Sequence, residues 1–245
     1  MPTALTIVTG ASRGLGLALA EQLLARGDRV LAISRQAPAL CHERLSVWHA
    51  DLAEPAAAAR QLGAWLQAVG VDGAASVTLI NNAGVITPPA PLAQTAAADL
   101  ARAVRVGLEA PLLLSAAFLK ATAGWTRPRR LLMISSGLGR RAMASAAAYC
   151  AVKAGLDHLA RALALEQALE PNGARVVSIA PGVVDTDMQL QLRSADGAAF
   201  PDRANFVGLQ AKGLLSSPAA AAASLLARLE RADFGSQAIA DVRDD

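Results

Sequence analysis

A chain of 245 residues, 53% of them hydrophobic, has apolar material for a sizeable core even with only 3% aromatics. A net charge of +3, with acids and bases spread along the chain, argues against a dedicated nucleic-acid or membrane surface. Cys41 and Cys150 have no metal spacing and form no disulfide framework, no apolar run approaches the roughly 18 to 20 residues that span a bilayer, and the opening MPTALTIVTG lacks a basic signal start, so a reduced, cytoplasmic setting is expected.

In chain order, LTIVT (5–9) reads as a strand ending at Gly10, and LGLALAEQLLAR (15–26) as a helix stopped by Gly27. RVLAIS (29–34) is the second strand and SVWHA (46–50) a weaker third. A helix over 54–69 follows, with Pro55 in its first turn. SVTLIN (76–81), RLLMIS (130–135) and RVVSIA (175–180) are the fourth, fifth and sixth strands, with long helical stretches around 96–122 and 144–169 between them. Most of these strands are apolar without period-2 alternation, which indicates a parallel sheet covered on both faces. Right-handed crossovers then give an α/β, doubly wound, Rossmann-type sheet, and no linker or repeat divides it, so 1–245 is expected to be a single domain. Arg127, Arg129 and Arg130 read as a solvated loop before the fifth strand. His42, His49 and His158 lack ligand spacing, so no metal site is expected.

TGASRGLG (9–16) joins the first strand to the first helix. Glycines there permit a tight turn, let the backbone approach a pyrophosphate and expose amides at a helix N-terminus, although a purely structural turn uses the same residues. Gly10, Gly14 and Gly16 follow a G-x-x-x-G-x-G spacing rather than the common G-x-G-x-x-G. An NAD site places an acid about 20 residues after the glycines, for the ribose 2′-hydroxyl. Here the second strand ends in ISRQ, with Arg35 and no carboxylate, and Arg13 lies inside the turn. Either arginine alone is equally a surface charge; the two beside one ribose favour a 2′-phosphate, so NADP(H) is the expected cofactor.

AYCAVKAGLDH (148–158) holds the only tyrosine of the chain, Tyr149, four residues before Lys153 and so on the same helix face. A nearby ammonium favours phenolate and draws the phenol from about 10 toward working pH. That suits a general acid protonating a carbonyl oxygen as hydride reaches carbon. Ser136, at the end of the fifth strand, is placed to hold the same oxygen. The alternative is a half-buried tyrosine beside an exposed lysine on an amphipathic helix.

Together these groups resemble the short-chain dehydrogenase/reductase family over nearly the whole chain. TGASRGLG, NNAG (81–84), Ser136 with YCAVK, and PGVVDTDM (181–188) stand in the family's order and spacing. The resemblance implies hydride transfer with a nicotinamide cofactor, Tyr149 as acid/base, Lys153 binding ribose while tuning the tyrosine, and Ser136 and Tyr149 meeting the substrate carbonyl. It implies cofactor contacts from Gly10, Ser12, Arg13, Gly14, Leu15, Gly16 and Arg35, and from Asp51 and Leu52 at the adenine. It further implies contacts from Asn82, Ala83 and Gly84, and from Pro181, Gly182, Val184 and Thr186, the last at the nicotinamide carboxamide. A homodimer or homotetramer paired through the helices around 96–122 and 144–169 is implied as well, with a substrate lid over about residues 186–213. Met188, Leu192, Phe200 and Phe206 of that segment either line an apolar pocket or pack the lid against the sheet.

Many family members carry an asparagine in the helix after strand four, where RVGLEAP places Gly107. Pro111, four residues on, has no N–H for the Gly107 carbonyl. The expectation is a backbone proton relay that survives without the side chain; the alternative is a slowed enzyme. Within the family, YCAVKAG, APGVVDTDMQ and FGSQAIADVRD look like the sepiapterin reductases and their bacterial relatives that reduce aromatic diketones. That likeness implies a pterin-anchoring carboxylate at Asp241, unless Asp241 only opens an acidic tail with Asp244 and Asp245. Three functions are compatible with these residues. The first is an NADPH-dependent carbonyl reductase for a pterin side chain or an aromatic 1,2-diketone. The second is a reductase for 3-oxoacyl or sugar-type carbonyls. The third is a non-catalytic NADP(H) sensor, which an intact Ser136, Tyr149 and Lys153 argue against.

Overall fold

A computed structural model describes residues 3–244; Met1, Pro2 and Asp245, the last residue of the acidic tail, lie outside them. The strands are β1 (Leu5–Thr9), β2 (Arg29–Ser34), β3 (Leu45–His49), β4 (Val77–Asn81), β5 (Arg129–Ile134), β6 (Arg175–Ala180) and β7 (Ile239–Asp241). They form one parallel sheet in the order β3-β2-β1-β4-β5-β6-β7. Eight helices accompany them among the described residues: α1 (Gly14–Ala25), α2 (Pro55–Val69), α3 (Ala97–Val104), α4 (Ala110–Ala121), α5 (Ala147–Ala168), α6 (Asp187–Arg193), α7 (Arg203–Ala211) and α8 (Pro218–Glu230).

The central strands show no polar alternation because both faces are covered. Leu5, Ile7, Leu31, Leu79 and Leu131 point to a core shared with α2, α4 and α5. Val8, Ala32, Ile80, Leu132 and Ile179 point the other way, to a core shared with α1 and α8. β3 sits at the edge with only partial burial, which is why its sequence reads weakly. β7, unnoticed in the sequence, has three residues paired to Ser178, Ile179 and Ala180, too few for any periodicity to register.

Arg129 departs from its reading as a solvated loop residue. It opens β5, is buried, and its Nε donates to the Asn172 carbonyl at 3.1 Å, so a backbone acceptor meets the charge. The helical stretch around 96–122 is likewise not one regular helix. Between α3 and α4 lies a π turn, Arg105–Glu109, in which the Ala110 amide donates to the Arg105 carbonyl. Pro111, lacking an N–H, favours this local slip from the regular ladder.

The strand order reverses between β1 and β4, and the carboxyl ends of the strands there open a crevice, the usual ligand position in such sheets. Among the described residues no helix is long and apolar enough to cross a membrane.

Candidate active site

A cleft of about 720 Å³ runs over these carboxyl ends. Its first wall is the turn after β1. Gly10 (φ +68°) and Gly14 (φ +55°) take left-handed backbone, and a Cβ on Gly16 would lie 2.2 Å from the Gly10 carbonyl oxygen. Arg13 at the N-cap of α1 supplies no side-chain acceptor, so the first-turn amides remain available beside the cleft. The Thr9 hydroxyl accepts from the amides of Asn82 and Ala83, both at 3.0 Å, and the Asn82 side chain donates to the Thr9 carbonyl at 2.9 Å. These bonds clamp the turn to the end of β4. Uncapped amides, a side-chain-free approach and a long crevice fit a dinucleotide.

Ser136, Tyr149 and Lys153 border the same cleft. Tyr149 and Lys153 are buried in the first turns of α5, with the ammonium 5.6 Å from the phenol ring centroid. Lys153 donates to the Ile134 carbonyl at the end of β5, at 2.7 Å. The expected acidic shift of the phenol is not seen. Burial pushes Tyr149 up to about 12, and a hydrogen bond from Ser136 only partly opposes it. Burial pushes Lys153 down to about 8. The phenol therefore holds its proton at working pH, the form a proton donor needs.

Every residue expected to contact the cofactor borders this cleft, from the glycine turn and Arg35 through Asp51, Leu52, Asn82, Ala83 and Gly84 to Pro181, Gly182, Val184 and Thr186. Asp241 does not. Its buried carboxylate takes two bonds from the Arg243 guanidinium, at 2.8 and 2.6 Å, and lies 3.8 Å from Arg140. Those bonds hold its carboxyl below the usual range. Arg243, not Asp241, reaches the cleft, because the turn after β7 folds that side chain back over the acid.

Residues 186–213 carry α6 and α7. Leu192, Phe200 and Phe206 pack with Leu138, Met143, Ala146 and Tyr149, the two phenylalanine rings 5.6 Å apart. Met188, Leu192 and Phe206 also border the cleft, whereas Phe200 is wholly internal, so the segment both lines and packs. Two ion pairs flank it: its Asp187 meets Arg13 of the glycine turn at 2.7 Å, and its Arg193 meets Asp185, just before the segment, at 3.2 Å.

A family model described as short chain dehydrogenase matches residues 4–197. The chain belongs to this family. It is 37% identical over 227 residues to a Bacillus subtilis benzil reductase that forms (S)-benzoin, covering 93% of each chain. A Bacillus cereus benzil reductase with the same product is 33% identical over 235 residues, covering 93% of this chain and 94% of the other. The structure of a 2-deoxy-D-gluconate 3-dehydrogenase-like protein from Agrobacterium tumefaciens, with NADP bound, superposes with a TM-score of 0.78 at 27% identity, covering 99% of this chain and 95% of that one. The protein is thus an oxidoreductase of the carbonyl/CH–OH class that uses a nicotinamide dinucleotide.

For this short-chain reductase, the position of the family's asparagine has a steric explanation. A Cβ on Gly107 would lie 2.4 Å from Val152 Cγ1, in the turn of α5 that carries Lys153. Glycine lets α5 approach the π turn. Gly107→Asn is therefore expected to cost about 2 kcal/mol in thermal unfolding and to give no rate gain, with Val152→Ala relieving part of the loss. Ile86 and Leu138, which border the cleft beside Tyr149, went unnoticed in the sequence. The available signal was the apolar pair Val85–Ile86 past the carboxyl end of β4 and the lone Leu138 past that of β5.

Proposed function

We propose that the protein is an NADPH-dependent reductase of aromatic 1,2-diketones, with Tyr149 as the proton donor. The observation that carries this reading is that Ser136, Tyr149 and Lys153 border the same cleft as the glycine turn. When bound, the nicotinamide supplies hydride to the carbonyl carbon. The amides of Gly14, Leu15 and Gly16 bind the pyrophosphate, Arg13 and Arg35 the 2′-phosphate, and Asp51 and Leu52 the adenine side. Asn82, Ala83 and Gly84 shape the floor; Pro181, Gly182, Val184 and Thr186 hold the nicotinamide side, and Lys153 holds the ribose. Ser136 orients the substrate carbonyl oxygen, and Tyr149 gives that oxygen its proton as the C–O double bond becomes a C–OH bond.

Three observations support a diketone over a pterin. The two Bacillus relatives are named for benzil. The wall around Tyr149 is apolar, with Ile86, Leu138, Leu192 and Phe206. The carboxylate of Asp241 is already engaged by Arg243 and has no free edge for a guanidine-like ring. In this reading residues 186–213 close over the substrate and exclude water. Exposed Leu112 on α4, Leu165 on α5 and Leu169 at the cap just past α5 support pairing of two copies through those helices, which light scattering tests.

The test of the whole reading is a nicotinamide-consumption assay with benzil, sepiapterin and a 3-oxoacyl thioester, each with NADPH and NADH. Benzil with NADPH is expected to lead, the phosphate preference being about tenfold or more and falling in Arg13→Ala and Arg35→Ala. Fastest turnover of sepiapterin, lost specifically in Asp241→Asn, would contradict it.

A further inference from the structure

Among the described residues, Ser145 is the one non-glycine side chain on left-handed backbone, at φ +61°. A Cβ crowds the carbonyl in that conformation, whereas glycine adopts it freely. Strain of this kind persists where surrounding contacts fix it. Two contacts do so here: the Ser145 hydroxyl donates to the Ala199 carbonyl at 2.7 Å, and the Ser145 carbonyl accepts from the Ala90 amide at 3.1 Å. Glycine would keep the second bond and the backbone shape without strain. Only the first needs a hydroxyl, so the bond to Ala199 is what the serine adds.

The two bonds reach different parts of the substrate end. Ala199 lies between α6 and α7, and the residue after it, Phe200, is wholly buried in the cluster that holds Tyr149, Leu192 and Phe206. Ala90 lies in the loop after β4, whose Ile86 packs against that cluster and borders the cleft. Ser145 itself stands two residues before α5 and four before Tyr149. One residue thus ties together the three segments that pack around the phenol. The cofactor end has its own bonds, from Thr9 and Asn82.

We propose that Ser145 is a positioning residue for the reduction: its hydroxyl seats the Ala199–Phe200 turn against Tyr149 and so sets the substrate end of the cleft without acting on the cofactor end. This rests on the reading of Tyr149 as the proton donor given above. Without the hydroxyl the Ala199 carbonyl loses its partner and the turn is free to shift. Phe200 moves with it, and with Phe200 the Phe206 ring 5.6 Å away, which borders the cleft. Lys153 keeps its bond to the Ile134 carbonyl, so the proton donor and its neighbour stay in place.

Two variants separate the hydroxyl from the backbone. Ser145→Gly removes the hydroxyl and relieves the strain; Ser145→Ala removes the hydroxyl and keeps the strain. Both are expected to raise KM for benzil about fivefold, the size of one neutral hydrogen bond, with kcat and NADPH affinity each within about twofold. Tm is expected to be higher in Ser145→Gly than in Ser145→Ala. A role confined to stability would make KM follow Tm and split the two variants. Amide hydrogen exchange of the full chain, read over residues 195–203, is expected to quicken in both. A KM or an exchange rate that Ser145→Gly leaves unmoved, a KM that follows Tm, or an NADPH affinity that falls as far as KM rises overturns the proposal. Absence of benzil turnover in the unmodified protein would sink the diketone reading alone. Exchange over 195–203 then decides this one, and an unchanged rate in Ser145→Gly rejects it.

Discussion

The glycine-turn wall of the cleft and the wall formed by α6 and α7 are held by different forces. On the first, every residue of β1 and β4 is buried, and Thr9 and Asn82 lock the turn with backbone-directed hydrogen bonds. On the second, α6 and α7 bury only Leu192 and Phe206, and ion pairs at Asp185 and Asp187 supplement a small apolar cluster. A wall shaped by backbone sterics presents one fixed surface, suited to a cofactor common to many reactions. One held by a small apolar cluster and exposed ion pairs costs less to disturb.

The contrast makes graded predictions. Gly16→Ala is expected to do the most damage, because its Cβ would meet a backbone oxygen that cannot step aside. A loss of about 3 kcal/mol or more in denaturant unfolding, with cofactor affinity down about 100-fold by fluorescence titration, is expected. Near-normal cofactor binding in that variant would break the account of the first wall. Phe206→Ala comes next, at about 3 kcal/mol, with KM for the diketone raised about tenfold and cofactor affinity nearly unchanged. If cofactor affinity fell as far as substrate affinity, the two walls would not be separable. Asp187→Asn should matter least, since both partners of its pair with Arg13 are largely exposed. Less than about 1 kcal/mol of stability is at stake, and high salt should erase the difference.

The same contrast governs what the sequence discloses. The glycine turn, Ser136 and the Tyr149–Lys153 pair are local patterns, so they are legible with their strand and helix context. β7 is not, because three residues cannot carry a period. Gly107 and Pro111 disclose a local irregularity, but not that Val152 of a distant helix fills the space an asparagine would need. Asp241 reads as a free acid until the chain turns back and Arg243 covers it. The phenol of Tyr149 reads as acidified by its neighbour, whereas burial dominates and keeps it protonated. In each case the missing quantity is tertiary: how much solvent a group loses, and which remote side chain arrives beside it.

Proton donation by Tyr149 is tested most directly by pairing two readouts on Tyr149→Phe: steady-state reduction of benzil and equilibrium binding of NADPH. Turnover is expected to fall by about a thousandfold or more while cofactor affinity stays within about twofold. Turnover close to that of the unmodified protein, with the cofactor bound as before, would contradict the account.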